Sequence, residues 1–428
     1  MNQTGGTRFQ SKRVLSLVIS LFFLWALTSN LLPILIPHFK KAFNLHYFKA
    51  SLVDWAYWIS YFVFAIPSGL LMKKLGYKTT IITGLMLAAL GAFLFPLAAD
   101  SRSYVFFLMA LFIVASGMTF LETAANPYIR SFGSADTYSE RLNFAQAFNG
   151  LGAVVATNIL SHLILSDRLI KTDDELKAMK ETELQNYFGQ IIKTVKLPYE
   201  LIGCVLLLFA ILFILSKLPS NGDKTTSTKF SFFNPLRYPQ LGQSMVAQFF
   251  YVGAQVCVSS FFINYALNIA GLSLTSAKFC LGGLLIFFMI GRYTGAFLMK
   301  KYDPRRLLLL FALANILLCF LIVLIGGLTG VVAFFGVEFF MSIMYPTIFS
   351  IGVKNMNEKT ELASSYMVMM IVGGAFLPML LGYISDKTNS VQFGYSVPLL
   401  CFIIVFMYAQ KQLSLKTKLN IEMHLEST

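Results

Sequence analysis

GLLMKKLGYK at Gly69–Lys78 returns as GAFLMKKYDPRR at Gly295–Arg306, one short basic signature written twice. Each copy lies where one long apolar run ends and the next begins. The copies are about half of the 428-residue chain apart. A repeat of this kind describes two related halves of membrane helices with their Lys/Arg-rich turns on one side of the bilayer. Since roughly 20 apolar residues cross a bilayer, the chain offers about twelve crossings. They lie near 14–37, 50–72, 79–99, 104–127, 141–165, 198–217, 242–268, 279–299, 306–327, 330–353, 363–384 and 395–412. The expected fold is an all-α membrane protein of twelve transmembrane helices in two six-helix bundles. Duplicated halves with matching basic loops mark secondary transporters whose substrate crosses at the seam.

The basic pairs also fix the organisation. Lys73-Lys74 follows span 2 and Lys300-Lys301 follows span 8, so each closes the second helix of its half. The N-terminal bundle is expected over 1–219, a polar linker over 220–240 and the C-terminal bundle over 241–428. Within the first bundle, 166–197 is charged and periodic and reads as an external segment between spans 5 and 6. Lys12 and Arg13 precede span 1, and the number of spans is even. Both termini and the linker are therefore expected in the cytoplasm of a multi-pass protein of the inner (plasma) membrane.

Composition excludes other classes. The chain is 57% hydrophobic and 13% charged, with a mean hydropathy of +0.69, whereas soluble domains carry about 25% charged residues. Its net charge of +14 is accounted for by basic loops beside anionic headgroups. The expected large partner is the lipid bilayer and no nucleic acid. Cys204, Cys257, Cys280, Cys319 and Cys401 all fall inside apolar runs, without disulfide or metal-ligand spacing, and read as packing residues. His38, His46, His162 and His424 have no ligand spacing either. No metal, cofactor or catalytic constellation is expected, which argues against a membrane enzyme. The first apolar run is long enough to span and lacks a small-residue cleavage site, so no cleavable signal is expected.

Function in such a chain concentrates where polar groups interrupt apolar helices, because a charge there costs several kcal/mol unless a cavity or partner receives it. Asp54, Glu122, Arg292 and Glu338 qualify. Glu122 lies deep in span 4 within LETAANPYI, with Asn126 one turn further on the same face and Pro127 loosening the backbone. Gln146 and Asn149 share a face of span 5, and Gln248, Tyr251 and Gln255 recur along span 7. One amide in a helix is commonly glue between helices. Several amides on different helices suit a neutral polyhydroxylated ligand, for which 42 phenylalanines supply apolar stacking surface. Arg292 is ~12 Å before Lys300 along its helix, so it can snorkel to the cytoplasmic surface or pair within the second basic signature, a structural or gating role ahead of substrate contact. Glu338 has no evident partner.

Seven stretches together resemble the L-fucose:proton symporter family of the major facilitator superfamily, which also holds glucose/galactose and amino-sugar transporters. They are FFLWAL (Phe22–Leu27), IPHFKKAF (Ile36–Phe43), MKKLGYKTTIITGL (Met72–Leu85), LETAANPY (Leu121–Tyr128), RLNFAQAFN (Arg141–Asn149), AQFFYVGAQ (Ala247–Gln255) and YPTIFSIGVKN (Tyr345–Asn355). The resemblance implies that Glu122 is the family's central carboxylate, Gln146 and Asn149 its sugar-contacting amides, and Tyr345 its span-10 tyrosine. One departure matters. Where the family carries a coupling aspartate in an Asn-Leu-Asn-Asp stretch, this chain reads Asn30-Leu31-Leu32-Pro33. Asn30 remains as a sugar contact. Asp54, roughly 6 Å deep near the outer end of span 2, is the candidate replacement acid, with Tyr57 and Tyr61 on the same face; its structural alternative is a carboxylate anchoring that span.

The expected activity is cation-coupled inward transport of a neutral monosaccharide, L-fucose-like or another hexose, by alternating access. Protons are the favoured coupling ion. A sodium-coupled glucose/galactose or N-acetylhexosamine symporter, with a sodium site near Asp54, is the alternative; uncoupled facilitation and a non-transporting sugar receptor on the same scaffold rank below it. Glu122 and Asp54 are the coupling candidates. Asn30, Asn126, Gln146, Asn149, Gln248, Gln255 and Tyr345 are the sugar-binding candidates. The protein is expected to be a monomer.

Overall fold

A computed structural model of the chain describes residues 4–31, 35, 39, 43, 47–134, 136–156, 179–216, 235–354, 356 and 359–426. Pro33, most of the expected linker and the first part of the expected external segment lie outside the described residues, as does the side chain of Asp54.

Among the described residues, eight helices are long and apolar enough to cross a membrane, and the bent pair Pro239–Ser260 and Phe262–Asn268 makes a ninth. One of the eight, Trp55–Asp100, runs for 46 residues, twice what a bilayer needs. It is two crossings joined at Gly76. With the shorter Val14–Ser29 and with Tyr138–Val155 added, the described helices supply the twelve crossings that the apolar runs indicate.

The two basic signatures turn the chain by different chemistry. In the first, Gly76 adopts φ 81° and ψ 173°, a conformation that costs little only without a Cβ. In the second, Asp303 caps the next helix, its carboxylate accepting from the Arg305 N–H at 2.8 Å, and Pro304 occupies the first helical position.

Outer helix faces are apolar where a soluble protein would be polar. Phe279 is 83% exposed and Leu215 75%, which suits hydrocarbon and not water. Inside, spans 3 and 4 meet through small residues. A Cβ on Gly117 would lie 2.4 Å from the backbone nitrogen of Ala88, so only glycine permits that approach.

By packing, residues 1–128 and 151–225 form one compact unit, and residues 129–150 and 226–428 form another. The start of span 5, which the repeat places in the N-terminal half, thus packs with the C-terminal helices. In the first unit the described part of residues 166–197 holds the helix Glu181–Lys193, continuing through Thr194 and Val195 into span 6 at Lys196. Lys196 pairs with Asp100 at the end of span 3.

Candidate functional site

The polar side chains gather into one cluster in each unit. The first is built on span 4, Tyr104–Tyr128, whose residues from Val114 onward are all buried. Glu122 is 7% exposed there and Asn126 fully buried. Pro127 has no N–H to offer the carbonyl of Thr123, and one turn earlier the Thr123 hydroxyl donates to the Thr119 carbonyl at 2.7 Å.

Facing this carboxylate is an aromatic group from spans 1 and 2. Trp25 Nε1 donates to the Tyr61 hydroxyl at 2.6 Å, and the hydroxyls of Tyr61 and Tyr57 are 3.3 Å apart. Trp58 packs edge-on against Tyr57, ring centroids 5.2 Å apart. Glu122 is within electrostatic reach of both phenols, and Ser29 hydrogen-bonds Tyr57. The spacing of Tyr57 and Tyr61 one turn apart signalled this face. Trp25 and Ser29 carried no such signal, because their partners come from another helix. Asn30 is half-buried just past the end of the span 1 helix Thr4–Ser29, and its amide donates to the Ala26 carbonyl in the last turn of that helix at 2.9 Å.

The second cluster joins spans 5, 7, 8 and 10. Gln146 and Asn149 are 4% and 5% exposed, and Gln248 is fully buried. Among the described residues, neither amide atom of Gln248 has a hydrogen-bond partner, nor does Nδ2 of Asn149. Burying such atoms unpaired costs about 1–3 kcal/mol each, a cost that a protein carries where a polar guest or water is to be received. One turn along from Gln248, Tyr251 faces Tyr345 at 6.5 Å between ring centroids, and Phe349 stacks on Tyr345 at 6.2 Å. Gln255 is half-buried farther along the same helix.

Span 10 is broken at this level into Gly327–Met341 and Met344–Val353. Pro346 lacks the N–H that would bond the Ser342 carbonyl four residues back. That carbonyl accepts instead from Arg292 Nε at 3.1 Å. Arg292 is 3% exposed and does not snorkel. Its Nη1 donates to the Gln146 carbonyl at 2.6 Å and to Gln146 Oε1 at 3.2 Å, over the Phe288 ring at 4.5 Å. Glu338, 2% exposed, accepts from the Ser259 hydroxyl at 3.4 Å and feels the Arg292 charge. Nearer the start of span 5, Asn143 donates to Thr347, and Ser139 and Ser350 share a 2.6 Å bond.

Apolar crossings from a duplicated half, enclosing a buried carboxylate and a separate set of buried amides, define a multi-pass solute transporter. The chain belongs to the major facilitator superfamily, whose family model matches residues 17–378, and within it to the L-fucose:proton symporter-like family. It is 40% identical to the L-fucose-proton symporter of Escherichia coli (strain K12), over 92% of each chain. It is 34% identical to the glucose/galactose transporter of Brucella abortus biovar 1 (strain 9-941), over 91% of each. The fold is similar to a crystal structure of a major facilitator superfamily transporter, FucP, in the outward conformation. That match has a TM-score of 0.86 and 40% identity, and covers 94% of this chain and 99% of that one.

Proposed function

We propose that this protein is a symporter that carries a neutral monosaccharide, L-fucose or a related hexose, into the cell with protons. The observation that carries the proposal is Glu122, a buried carboxylate in an otherwise uncharged span. It stands in a chain whose relatives, matched over nine-tenths of their length, are named for sugar transport and in part for proton symport. Sugar contacts are assigned to Asn126, Gln146, Asn149, Gln248, Gln255 and Tyr345, with Asn30 in support. Asp54 is assigned as the second coupling acid, and both termini are placed in the cytoplasm of a monomer in the inner membrane. Sugar and proton must favour the same conformation, since a ligand with equal affinity for both states shifts nothing. Protonated Glu122 donates a hydrogen bond where ionised Glu122 only accepts, so its protonation state changes the polar pattern that sugar and spans 1 and 2 meet. Sodium coupling is the second reading. It is favoured by Pro33, which stands where the family's proton-coupling aspartate is expected.

The three tryptophans, Trp25, Trp55 and Trp58, all lie in spans 1 and 2, and Trp25 and Trp58 touch the tyrosines that face Glu122, so tryptophan fluorescence reports on that cluster. Titration of the purified protein with L-fucose, D-galactose and D-glucose is expected to give a saturable change with at least one of them. Asn149→Ala should weaken that sugar about tenfold with the fold intact, the effect of losing a buried hydrogen-bonding partner. No response to any of the three sugars would contradict the proposed substrate class.

A further inference from the structure

The proposed cycle uses Glu122 and Asp54 but gives no task to Arg292, the buried cation of the C-terminal helices. Its surroundings restrict it closely. Ser342 holds Nε because Pro346 has vacated that carbonyl, Phe288 covers the guanidinium face, and Nη1 reaches two oxygens of one residue, Gln146. Span 5 rests on span 8 at the same level, where Phe144 and Phe148 pack against Tyr293 and Gly150 lies against Met289. Glu338 and Tyr251 are near enough to interact with the Arg292 charge, which helps keep a cation tolerable among apolar spans.

A guanidinium only donates hydrogen bonds, whereas a glutamine amide has one accepting end and one donating end. Beside Arg292 the amide must therefore turn its oxygen inward. The reverse orientation would set NH2 against a cation and forfeit a charge-assisted bond, roughly twice as strong as a neutral one. We propose that Arg292 is a positioning residue of the sugar site: by holding Oε1 of Gln146 it fixes that amide with its NH2 end offered to the sugar as a hydrogen-bond donor. The inference rests on the assignment of Gln146 to the sugar site. Pro346 is the origin of the arrangement, because it frees the carbonyl that anchors Arg292.

The test is sugar affinity of the full-length protein, read with whichever of L-fucose, D-galactose and D-glucose binds most tightly. Gln146→Ala is expected to weaken binding about tenfold. Gln146→Glu should weaken it at least as much, although a carboxylate pairs better with Arg292, because it offers the sugar only an acceptor. Arg292→Met should cost about tenfold in the wild-type background and less than about twofold in Gln146→Ala, since residues acting through one group are not additive. Near-normal affinity in Gln146→Glu, or an equal loss from Arg292→Met in both backgrounds, would overturn the positioning role while leaving Gln146 a sugar contact. Unchanged affinity in Gln146→Ala would instead remove Gln146 from the sugar site. If Arg292→Met does not fold, Arg292→Met/Glu338→Gln, which deletes both charges, replaces it in the comparison.

Discussion

Glu122→Gln is expected to go on exchanging sugar across the membrane while losing uphill accumulation altogether. The amide has nearly the shape of the carboxyl group and occupies the same place within reach of the Tyr57 and Tyr61 phenols. It cannot take up or release a proton. The variant is therefore held in one protonation state, in which sugar-loaded interconversion proceeds but no ion gradient is coupled to it. Counterflow measured beside gradient-driven uptake separates the two activities. Labelled sugar should equilibrate between preloaded vesicles and medium, and its internal concentration should never exceed the external one under a pH gradient. If Glu122 were only a structural carboxylate, exchange and accumulation would fall together, along with the amount of folded protein. Asp54→Asn should show the same split phenotype as Glu122→Gln if Asp54 has replaced the acid missing at Pro33.

Gln248→Ala should lower sugar affinity by tenfold or more and leave thermal stability unchanged or raised. The usual consequence of truncating a buried amide is instability, because partners are left unpaired. Here the amide has no hydrogen-bond partner among the described residues, so its removal strands nothing within the sugar-free protein and deletes a desolvated polar group. The sugar, by contrast, loses both a donor and an acceptor. Thermal unfolding in detergent, with and without saturating sugar, reads both quantities at once. The variant should unfold at or above the wild-type temperature without sugar and gain less from adding it. A lower unfolding temperature with unaltered affinity would place Gln248 among the residues that glue helices together.

The crossings were legible in the sequence because their cause is local: each apolar run is set by its own composition and ends at its own charges. The turn at Gly76 and the cap at Asp303 were marked by the duplicated signature. Amides three or four residues apart, such as Gln146 with Asn149, could be placed on one face by helix period alone. The contacts that organise the clusters were not legible, since each joins helices distant in the chain. Trp25 meets Tyr61 across 36 residues, and Arg292 meets Gln146 across 146. Because Lys300 lies two turns beyond it, Arg292 was expected to snorkel to the cytoplasmic surface or pair within the second basic signature. The break in span 10 gave it a carbonyl partner in the interior instead. Pro346 was the available signal, since a proline within an apolar helix frees the carbonyl four residues earlier, here that of Ser342.

Proton-driven accumulation of a monosaccharide is the central claim, and vesicles that separate the two ion gradients test it most directly. The purified protein is reconstituted and offered labelled L-fucose, D-galactose or D-glucose under an inward pH gradient without sodium, and then under an inward sodium gradient at equal pH. Accumulation above the external concentration under the first condition, abolished by a protonophore and absent under the second, is the predicted result. Accumulation that follows sodium and persists without a pH gradient would contradict it.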